Sequence, residues 1–212
     1  MVTLSGGADS TICLHWALHR FETVRAISFD YGQRHIVELE CAAQIARRAG
    51  VGHDIIPVDS FKALGGNALV GSDQPILAAG EGQLPNTFVP GRNLILLTLA
   101  AARAYTFGIC DLVTGACQTD YSGYPDCRES TLKALAEAIS LGMDRKFRIH
   151  APLMALTKAQ SILLARDLGV LEWLKYTHTC YEGRRPPCGS CPSCLLRAKG
   201  FVEAGVRDPL ML

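Results

Sequence analysis

The sequence predicts an α/β fold built on a doubly wound, parallel, five-stranded sheet. Three observations carry this prediction: the chain has 212 residues, 49% of them are apolar, and strand-length apolar runs alternate with stretches of helical periodicity. A chain of this length suffices for one compact domain with a small appendage. Strands that alternate with helices form crossover units, and such units place their strands parallel in one sheet.

Five apolar runs have the length of strands. In chain order they are Val2–Leu4, Val24–Phe29, Ile55–Val58, Leu112–Val113 and Arg148–His150. Five other stretches repeat their apolar residues every three to four positions and predict helices. They are Ser10–Arg20, Ile36–Ala49, Asn93–Phe107, Ser130–Leu141 and Lys158–Leu168. Because ligands of such sheets bind beyond the carboxyl ends of the strands, we expect the chemistry after Leu4, Phe29 and Gly115.

Two segments depart from this alternation. The connection Ser60–Gly91 is rich in Gly, Pro and Asn, which is typical of a lid or a binding loop, with disorder as the alternative. After Leu168 the chain has an aromatic stretch, a cluster of cysteines and a predicted helix over Ser193–Ala204. We therefore predict a main domain over residues 1–170 and a C-terminal metal-binding appendage over residues 171–212.

Charge and hydropathy exclude several classes of protein. The chain has 21 Lys and Arg against 20 Asp and Glu, for a net charge of +1. This balance supplies no excess positive charge to hold a polyanion, so we expect no nucleic-acid partner. The longest apolar stretch, Leu94–Ala102, is far shorter than the roughly 20 residues that span a bilayer. The N-terminal segment lacks the pattern of an export signal, and we expect a cytoplasmic protein without membrane association.

The segment Leu4–Ser10, with the sequence LSGGADS, predicts a phosphate-binding loop between a strand and a helix. Its paired glycines allow a tight turn with inward-facing N–H groups, and Ser5 and Ser10 add hydroxyl donors. The segment is neither a Walker A loop nor a G-x-G-x-x-G loop. A carboxylate beside bound phosphates requires a cation, so Asp9 is a candidate Mg²⁺ ligand. A Gly-Gly turn with a Ser or Asp helix cap is the alternative interpretation.

Four of the nine cysteines fall within fifteen positions and indicate a metal site. They are Cys180, Cys188, Cys191 and Cys194. In a reducing compartment, clustered thiols indicate metal binding or catalysis more often than disulfides. Four thiolates suit a closed tetrahedral zinc site. A [4Fe–4S] cluster, which also takes four cysteines at this spacing, remains open, as does replacement of one cysteine by His178.

The segment Leu4–Ser10 resembles the S-G-G-x-D-S loop of the PP-loop ATP pyrophosphatases, which have an adenine nucleotide alpha hydrolase-like fold and cleave ATP between its α and β phosphates. The resemblance implies catalytic roles for Asp9 and Lys158 and a bound ATP with Mg²⁺. A lysine at a predicted helix N-terminus also suits an anionic partner. The resemblance implies the following nucleotide-binding residues: Leu4, Ser5, Gly6, Gly7, Ala8, Asp9, Ser10, Asp30, Arg92, Asn93 and Gly115.

Three further motifs narrow the resemblance: DYGQRH at 30–35, FVPGRN at 88–93 and TDYSGYPDCR at 119–128. Together with the cysteine spacing, they are similar to the family of PP-loop synthases that form the nitrile 7-cyano-7-deazaguanine, a queuosine precursor. The resemblance covers nearly the whole chain. It implies ATP-dependent conversion of 7-carboxy-7-deazaguanine and ammonia through an adenylated carboxylate and an adenylated amide. It also implies one structural zinc ion per chain and a homodimer. The chain leaves no room for a glutaminase domain, so we expect free ammonia as the nitrogen donor.

A deazaguanine substrate requires aromatic faces and a carboxylate or carbonyl acceptor for its N–H edge. The candidate substrate-binding residues are Phe88, Asp120, Tyr121, Tyr124 and Asp126. A Gly-Tyr-Pro-Asp turn with a capping Asp is the alternative reading of this loop. Two other functions remain open, namely another PP-loop adenylating enzyme such as a tRNA thiolase and a non-catalytic zinc-binding module. A basic RNA-binding face would favour the thiolase.

Overall fold

A computed structural model describes residues 1–33, 36–64, 70, 84–118 and 124–211. Its centre is a sheet of five strands: β1 (Val2–Thr3), β2 (Arg25–Asp30), β3 (Gly52–Pro57), β4 (Asp111–Val113) and β5 (Arg148–His150). The strand order is β3-β2-β1-β4-β5, and all neighbouring pairs are parallel. The chain thus winds outwards from β1 to β3 and returns to the other side of β1 for β4. The predicted doubly wound parallel sheet is confirmed.

Seven α-helices accompany the strands in the described residues. They are α1 (Ala8–Leu18), α2 (Val37–Arg48), α3 (Ser60–Leu64), α4 (Arg92–Thr106), α5 (Glu129–Gly142), α6 (Lys158–Asp167) and α7 (Pro192–Ala204). Six begin and end within two residues of the predicted bounds, whereas α3 is too short to show a period. Two short 3-10 helices, Pro125–Cys127 and Leu171–Tyr176, were also not predicted. None of the helices in the described ranges is both long and apolar enough to cross a membrane.

Helices cover both faces of the sheet. Successive strand residues point to opposite faces, and the buried residues accordingly form two hydrophobic clusters. One contains Val2 and Val113 together with residues of α1, α2, α6 and α7. The other contains Ile27 and Leu112 together with residues of α4 and α5. Burial on both faces explains why the central strands are nearly continuous apolar runs.

The C-terminal segment packs closely on the main domain. Helix α7 lies against α6, and Phe201 belongs to the same cluster as β1 and α1. The guanidinium of buried Arg197 donates to both Asp208 oxygens at 2.6 and 2.7 Å and to Thr177 Oγ1 at 2.9 Å and Thr179 Oγ1 at 3.0 Å. Arg197 therefore ties α7 and the chain end to the segment before the cysteine cluster. The proposed boundary after residue 170 stays a prediction.

Candidate functional site

A cavity of about 850 Å³ lies at the carboxyl ends of β1, β2 and β4, where the strand order reverses. Eleven residues predicted from the sequence line it: Leu4, Ser5, Gly7, Ala8, Asp9, Ser10, Arg92, Asn93, Gly115, Tyr124 and Lys158. Four others lie around it without being part of its lining: Gly6, Asp30, Phe88 and Asp126. Asp120 and Tyr121 fall outside the described residues. The cavity therefore joins segments that lie far apart in the sequence.

The predicted phosphate loop turns tightly between β1 and α1. Ser10 Oγ accepts from the Ser5 N–H at 3.2 Å and donates to the Gly7 carbonyl at 3.1 Å. Gly6 has φ +86°, and a Cβ at this position would overlap the backbone oxygen of Glu38. Glycine is thus required at position 6 both for its conformation and for the close approach of α2.

The N-terminus of α1 presents its first N–H groups without a side-chain cap. Gly7 is the N-cap residue, so in the described residues no Ser or Asp side chain at the N-cap caps α1, and Ser5 Oγ accepts from the Gly7 N–H at 3.3 Å. The Ser or Asp helix cap of the alternative interpretation is therefore not formed at this position. A Cβ at Gly115 would lie 3.1 Å from Ser10 N, so the chain after β4 passes directly beside this turn. Unsatisfied donors and the positive end of the helix dipole together suit an anion.

Lys158 and Asp9, which are 149 positions apart, form an ion pair beside the loop. Lys158 Nζ donates to Asp9 Oδ1 at 2.9 Å and to Oδ2 at 2.7 Å, and the Lys158 side chain is only 15% exposed. Lys158 opens α6, where a Thr157–Gln160 capping box fixes the first turn. Gly200 of α7 packs on the aliphatic part of Lys158. The pair therefore brings a cation for phosphate oxygens and a carboxylate for a metal ion to one place.

Three tyrosines, one arginine and one glutamate line the other part of the cavity. They are Tyr31, Tyr124, Tyr181, Arg92 and Glu38. Arg92 Nη1 donates to the Tyr31 hydroxyl at 3.4 Å. Burial raises the pKa of all three phenols, that of Tyr181 to about 12. Burial also raises the pKa of Glu38 to about 7, although the attraction of Arg92 lowers it. The phenols are therefore neutral donors at physiological pH, and the carboxylate is poorly solvated.

Asp126 and Phe88 support the cavity wall from behind. Asp126 is buried, and its Oδ2 accepts from the Asn93 N–H at 3.0 Å, so it caps α4. Its Oδ1 has no hydrogen-bond partner within the ranges that the structure describes. The ring of Phe88 packs on that of Tyr124, with centroids 5.5 Å apart. Both residues therefore contact lining residues without facing the cavity themselves.

Sequence reasoning missed several residues that line the cavity, among them Glu38, Tyr31 and Tyr181. Tyr31 stands inside the motif DYGQRH, in which the resemblance implies a nucleotide-binding role for Asp30 alone. The Asp30 carboxylate instead accepts from the Gly32 N–H at 3.1 Å and stabilises the turn after β2. The position of Tyr181, directly after the first clustered cysteine, was an available signal. Nothing in the sequence alone marks Glu38.

The four clustered cysteines converge on one point. The sulfur atoms of Cys180, Cys188, Cys191 and Cys194 lie within 4.8 Å of one another. Cys188 Sγ accepts a hydrogen bond from the Cys191 N–H at 3.3 Å. Hydrogen bonds from Ser190 and Cys191 lower the pKa of the Cys188 thiol to about 6. These bonds favour the thiolate, which is the form that binds metals. The cluster can therefore hold one metal ion.

The cysteine cluster adjoins the phosphate loop. The His178 N–H donates to the Gly6 carbonyl at 2.9 Å, and the His178 ring contacts the Cys180 carbonyl through Nε2 at 2.8 Å. Burial lowers the pKa of His178, so its ring is neutral. His178 does not belong to the group of metal-ligating residues in the described chain. Residues 178–181 thus connect the loop to the cysteine cluster, and Tyr181 at the end of this segment reaches the cavity.

Comparison with known proteins gives a consistent result. Residues 1–205 match the family described as queuosine biosynthesis protein QueC. The chain is 60% identical over 215 residues to the 7-cyano-7-deazaguanine synthase of Laribacter hongkongensis, covering 100% of this chain and 93% of that protein. It is 60% identical over 218 residues to the protein of the same name from Chromobacterium violaceum, covering 100% and 92%. The Lysinibacillus sphaericus protein is 47% identical over 205 residues, covering 96% and 94%.

Solved structures share the fold at low sequence identity. The NMN synthetase of Francisella tularensis superposes with a TM-score of 0.50 at 15% identity, covering 97% of this chain and 76% of that one. A 4-thiouridine synthetase, solved in a complex with RNA and bound ATP, gives a TM-score of 0.52 at 16% identity. That match covers 96% of this chain and 50% of that one. These similarities establish the predicted fold class and nothing about substrates.

Proposed function

Because the chain belongs to the QueC family of queuosine biosynthesis proteins, we propose that it is a 7-cyano-7-deazaguanine synthase that consumes 7-carboxy-7-deazaguanine, ammonia and ATP. The observation that carries this proposal is the uncapped N-terminus of α1, which shares one cavity with the Asp9–Lys158 pair and three tyrosines. A 60% identity over the whole chain to proteins of that name supports the same reaction.

The conversion requires two activations, each of which turns an oxygen into a good leaving group. A carboxylate oxygen attacks the α-phosphorus of ATP, and pyrophosphate leaves. Ammonia then attacks the carboxyl carbon, and AMP departs with that oxygen to leave an amide. The amide oxygen attacks a second ATP in the same way, pyrophosphate leaves, and the nitrogen releases one of its two protons. Loss of the second AMP and of the remaining proton on nitrogen forms the nitrile, so each nitrile costs two ATP.

The residues of the loop would act mainly by positioning and by charge stabilisation. The first N–H groups of α1 and the hydroxyls of Ser5 and Ser10 would hold the departing pyrophosphate. Lys158 would neutralise its charge, and Asp9 would bind the accompanying Mg²⁺. Arg92 and Asn93 would contact the nucleotide from the start of α4. Gly115 would leave room for the phosphates beside the first turn of α1.

The four-cysteine cluster would hold zinc, one ion per chain. Tetrahedral zinc with bonds of about 2.3 Å to sulfur places its thiolates about 3.8 Å apart. The spacing within 4.8 Å, with Cys188 Sγ and Cys194 Sγ at 3.9 Å, supports a single ion. In a [4Fe–4S] cluster each sulfur binds a different iron, which requires a wider spacing. The ion would be structural, because its ligands leave no open position, and it would fix the segment that contacts Gly6.

The proposal also covers the domains of the chain, its assembly, its compartment and its partners. Residues 1–170 would form the catalytic domain and residues 171–212 the zinc-binding appendage of a homodimer. The nine cysteines form no disulfide in the described residues, which suits the reducing cytoplasm. The net charge of +1 suits small-molecule substrates without a nucleic-acid partner. Free ammonia would be the nitrogen donor.

The direct test is to incubate the protein with ATP, Mg²⁺, ammonium and 7-carboxy-7-deazaguanine and to measure products by mass spectrometry. We expect the nitrile, AMP and pyrophosphate. Glutamine in place of ammonium should give no nitrile, and production of the nitrile from glutamine would contradict the nitrogen donor. A protein that forms no nitrile with the complete mixture would refute the proposed activity.

A further inference from the structure

Two carboxylates line the cavity in the part of the chain that the structure describes, and they differ in their surroundings. Asp9 binds Lys158 through both oxygens and belongs to the phosphate loop. Asp126, which the sequence suggested as a substrate ligand, caps α4 at Asn93 and stands behind the wall. Glu38 is therefore the lining carboxylate that does not belong to the phosphate loop, and the charged group that acts on it is Arg92.

The position of Glu38 is fixed by the phosphate loop. It lies in the first turn of α2, where its backbone oxygen packs against Gly6. Its side chain borders the cavity together with Tyr31 and Tyr181, and the charge of Glu38 raises the pKa of both phenols. Burial raises its own pKa to about 7, so the group is only partly ionised near neutral pH, and hydrogen-bond donors on a ligand would stabilise its carboxylate form. Such a group is costly to bury unless hydrogen-bond donors meet it.

We propose that Glu38 reads the pyrimidinone edge of the deazaguanine ring by accepting hydrogen bonds from N1–H and from the 2-amino group. This proposal rests on the proposed function. That edge presents two parallel N–H donors, and a carboxylate accepts two parallel donors with its two oxygens. The rings of Tyr31 and Tyr181 would supply aromatic faces for the heterocycle.

The same contact would distinguish the deazaguanine of the substrate from the adenine of ATP. Adenine presents an acceptor at N1 beside its amino group, so it offers a carboxylate only one donor and one repulsive lone pair. The adenine of ATP would therefore be rejected from this half of the cavity. Glu38 would thus determine specificity without taking part in bond making or breaking.

The test compares Glu38→Gln with a matched control, Glu40→Gln, two residues further along α2 at an exposed position. Each protein is titrated calorimetrically with 7-carboxy-7-deazaguanine, with its analogue lacking the 2-amino group, and separately with ATP and Mg²⁺. A site built for a donor rejects a ligand that lacks it, so the wild type should prefer the parent compound by about tenfold to a hundredfold.

Glu38→Gln places an amide N–H₂ opposite the 2-amino group, so this preference should fall to about twofold or less while ATP binding stays unchanged. Glu40→Gln should behave as the wild type. A Glu38→Gln protein that keeps the wild-type preference, or that loses ATP affinity as much as substrate affinity, would overturn the proposal. If Glu38→Gln does not fold, Glu38→Asp takes its place. Its shorter side chain moves the carboxylate away from the ligand and should lower the preference for the 2-amino compound. An unchanged preference in Glu38→Asp would also overturn the proposal. A wild type that makes no nitrile would refute the proposed function, whereas nitrile formation with an unchanged preference refutes only the role of Glu38.

Discussion

Replacing Gly6 with alanine tests whether the phosphate loop depends on its contact with α2. At φ +86°, an L side chain costs about 1–2 kcal/mol. The added Cβ would also overlap the carbonyl oxygen of Glu38 and lie 3.0 Å from Ala42 N. Because both of these atoms belong to the backbone of a helix, no side chain can rotate out of the way. The loop would have to move away from α2.

Gly50→Ala is the matched control for this change. Gly50 has φ +67°, and a Cβ there would meet nothing within 4 Å, so this variant reports the conformational cost alone. We expect it to lose about 1–2 kcal/mol of unfolding free energy. Gly6→Ala adds an overpacking cost that is typically about 1–3 kcal/mol, so its total loss should be about 2–5 kcal/mol.

Urea denaturation followed by circular dichroism measures both losses, and calorimetry measures the affinity for ATP with Mg²⁺. We expect Gly6→Ala to bind ATP about tenfold or more weakly, because displaced N–H groups no longer converge on the phosphates. Gly50→Ala should bind as the wild type. If Gly6→Ala were as stable as Gly50→Ala and bound ATP normally, the inferred contact between loop and helix would be refuted.

Three further predictions concern charge, metal and pH. Lys158→Met should weaken pyrophosphate binding about tenfold or more in calorimetry. Lys146→Met, a change at an exposed lysine, should leave the affinity for pyrophosphate unchanged. Equal losses of affinity in the two variants would contradict the role of Lys158. Metal analysis should find one zinc ion in each chain of a colourless protein. Cys191→Ser should lose the zinc and unfold at a lower temperature. A brown, iron-containing protein would contradict the assignment of zinc. Hydrogen bonds from Arg148 lower the pKa of Asp111 from 3.8 to about 2, so the charged form stabilises the fold above about pH 4 and this stabilisation is lost towards pH 2. Asp111→Asn should therefore cost about 1 kcal/mol at pH 7, a discounted value because Arg148 is exposed, and this difference should shrink as the pH falls from about 4 through about 2. A constant difference in urea denaturation across this range would contradict the ion pair.

Most of the fold could be predicted because the central elements are apolar at regular spacing. Strand β3 shows where such prediction stops, because its first half is polar and the apolar pattern predicts a strand only from Ile55 onwards. Asp54 in that half binds Arg103 at 3.0 Å and Arg25 at 3.3 Å. These partners lie 49 and 29 positions away, and their ion pairs satisfy a polar edge strand in a way that no local pattern reveals.

The residues of the site likewise fall into two groups, those that the sequence predicts and those that only tertiary contacts bring to the cavity. The phosphate loop and the cysteine cluster could be predicted because each is a local motif, whereas Lys158 was predicted from the family resemblance and its place at a helix N-terminus. Glu38 resembles an exposed charge in the first turn of a helix, and only the packing of α2 on Gly6 turns it towards the cavity. Asp126 fits the sequence pattern of a substrate ligand, but its capping of α4 depends on tertiary contact. The roles of Asp120 and Tyr121 stay predictions, because these residues lie outside the described part of the chain.

In the proposed reaction, the loop holds pyrophosphate while an oxygen of the substrate attacks the α-phosphorus of ATP. This step is tested most directly with 7-carboxy-7-deazaguanine that carries ¹⁸O in both carboxylate oxygens, converted in unlabelled water. We predict two AMP molecules for each nitrile, each with one ¹⁸O, and unlabelled pyrophosphate. Recovery of the label in water or in inorganic phosphate, or formation of ADP in place of AMP, would contradict the account.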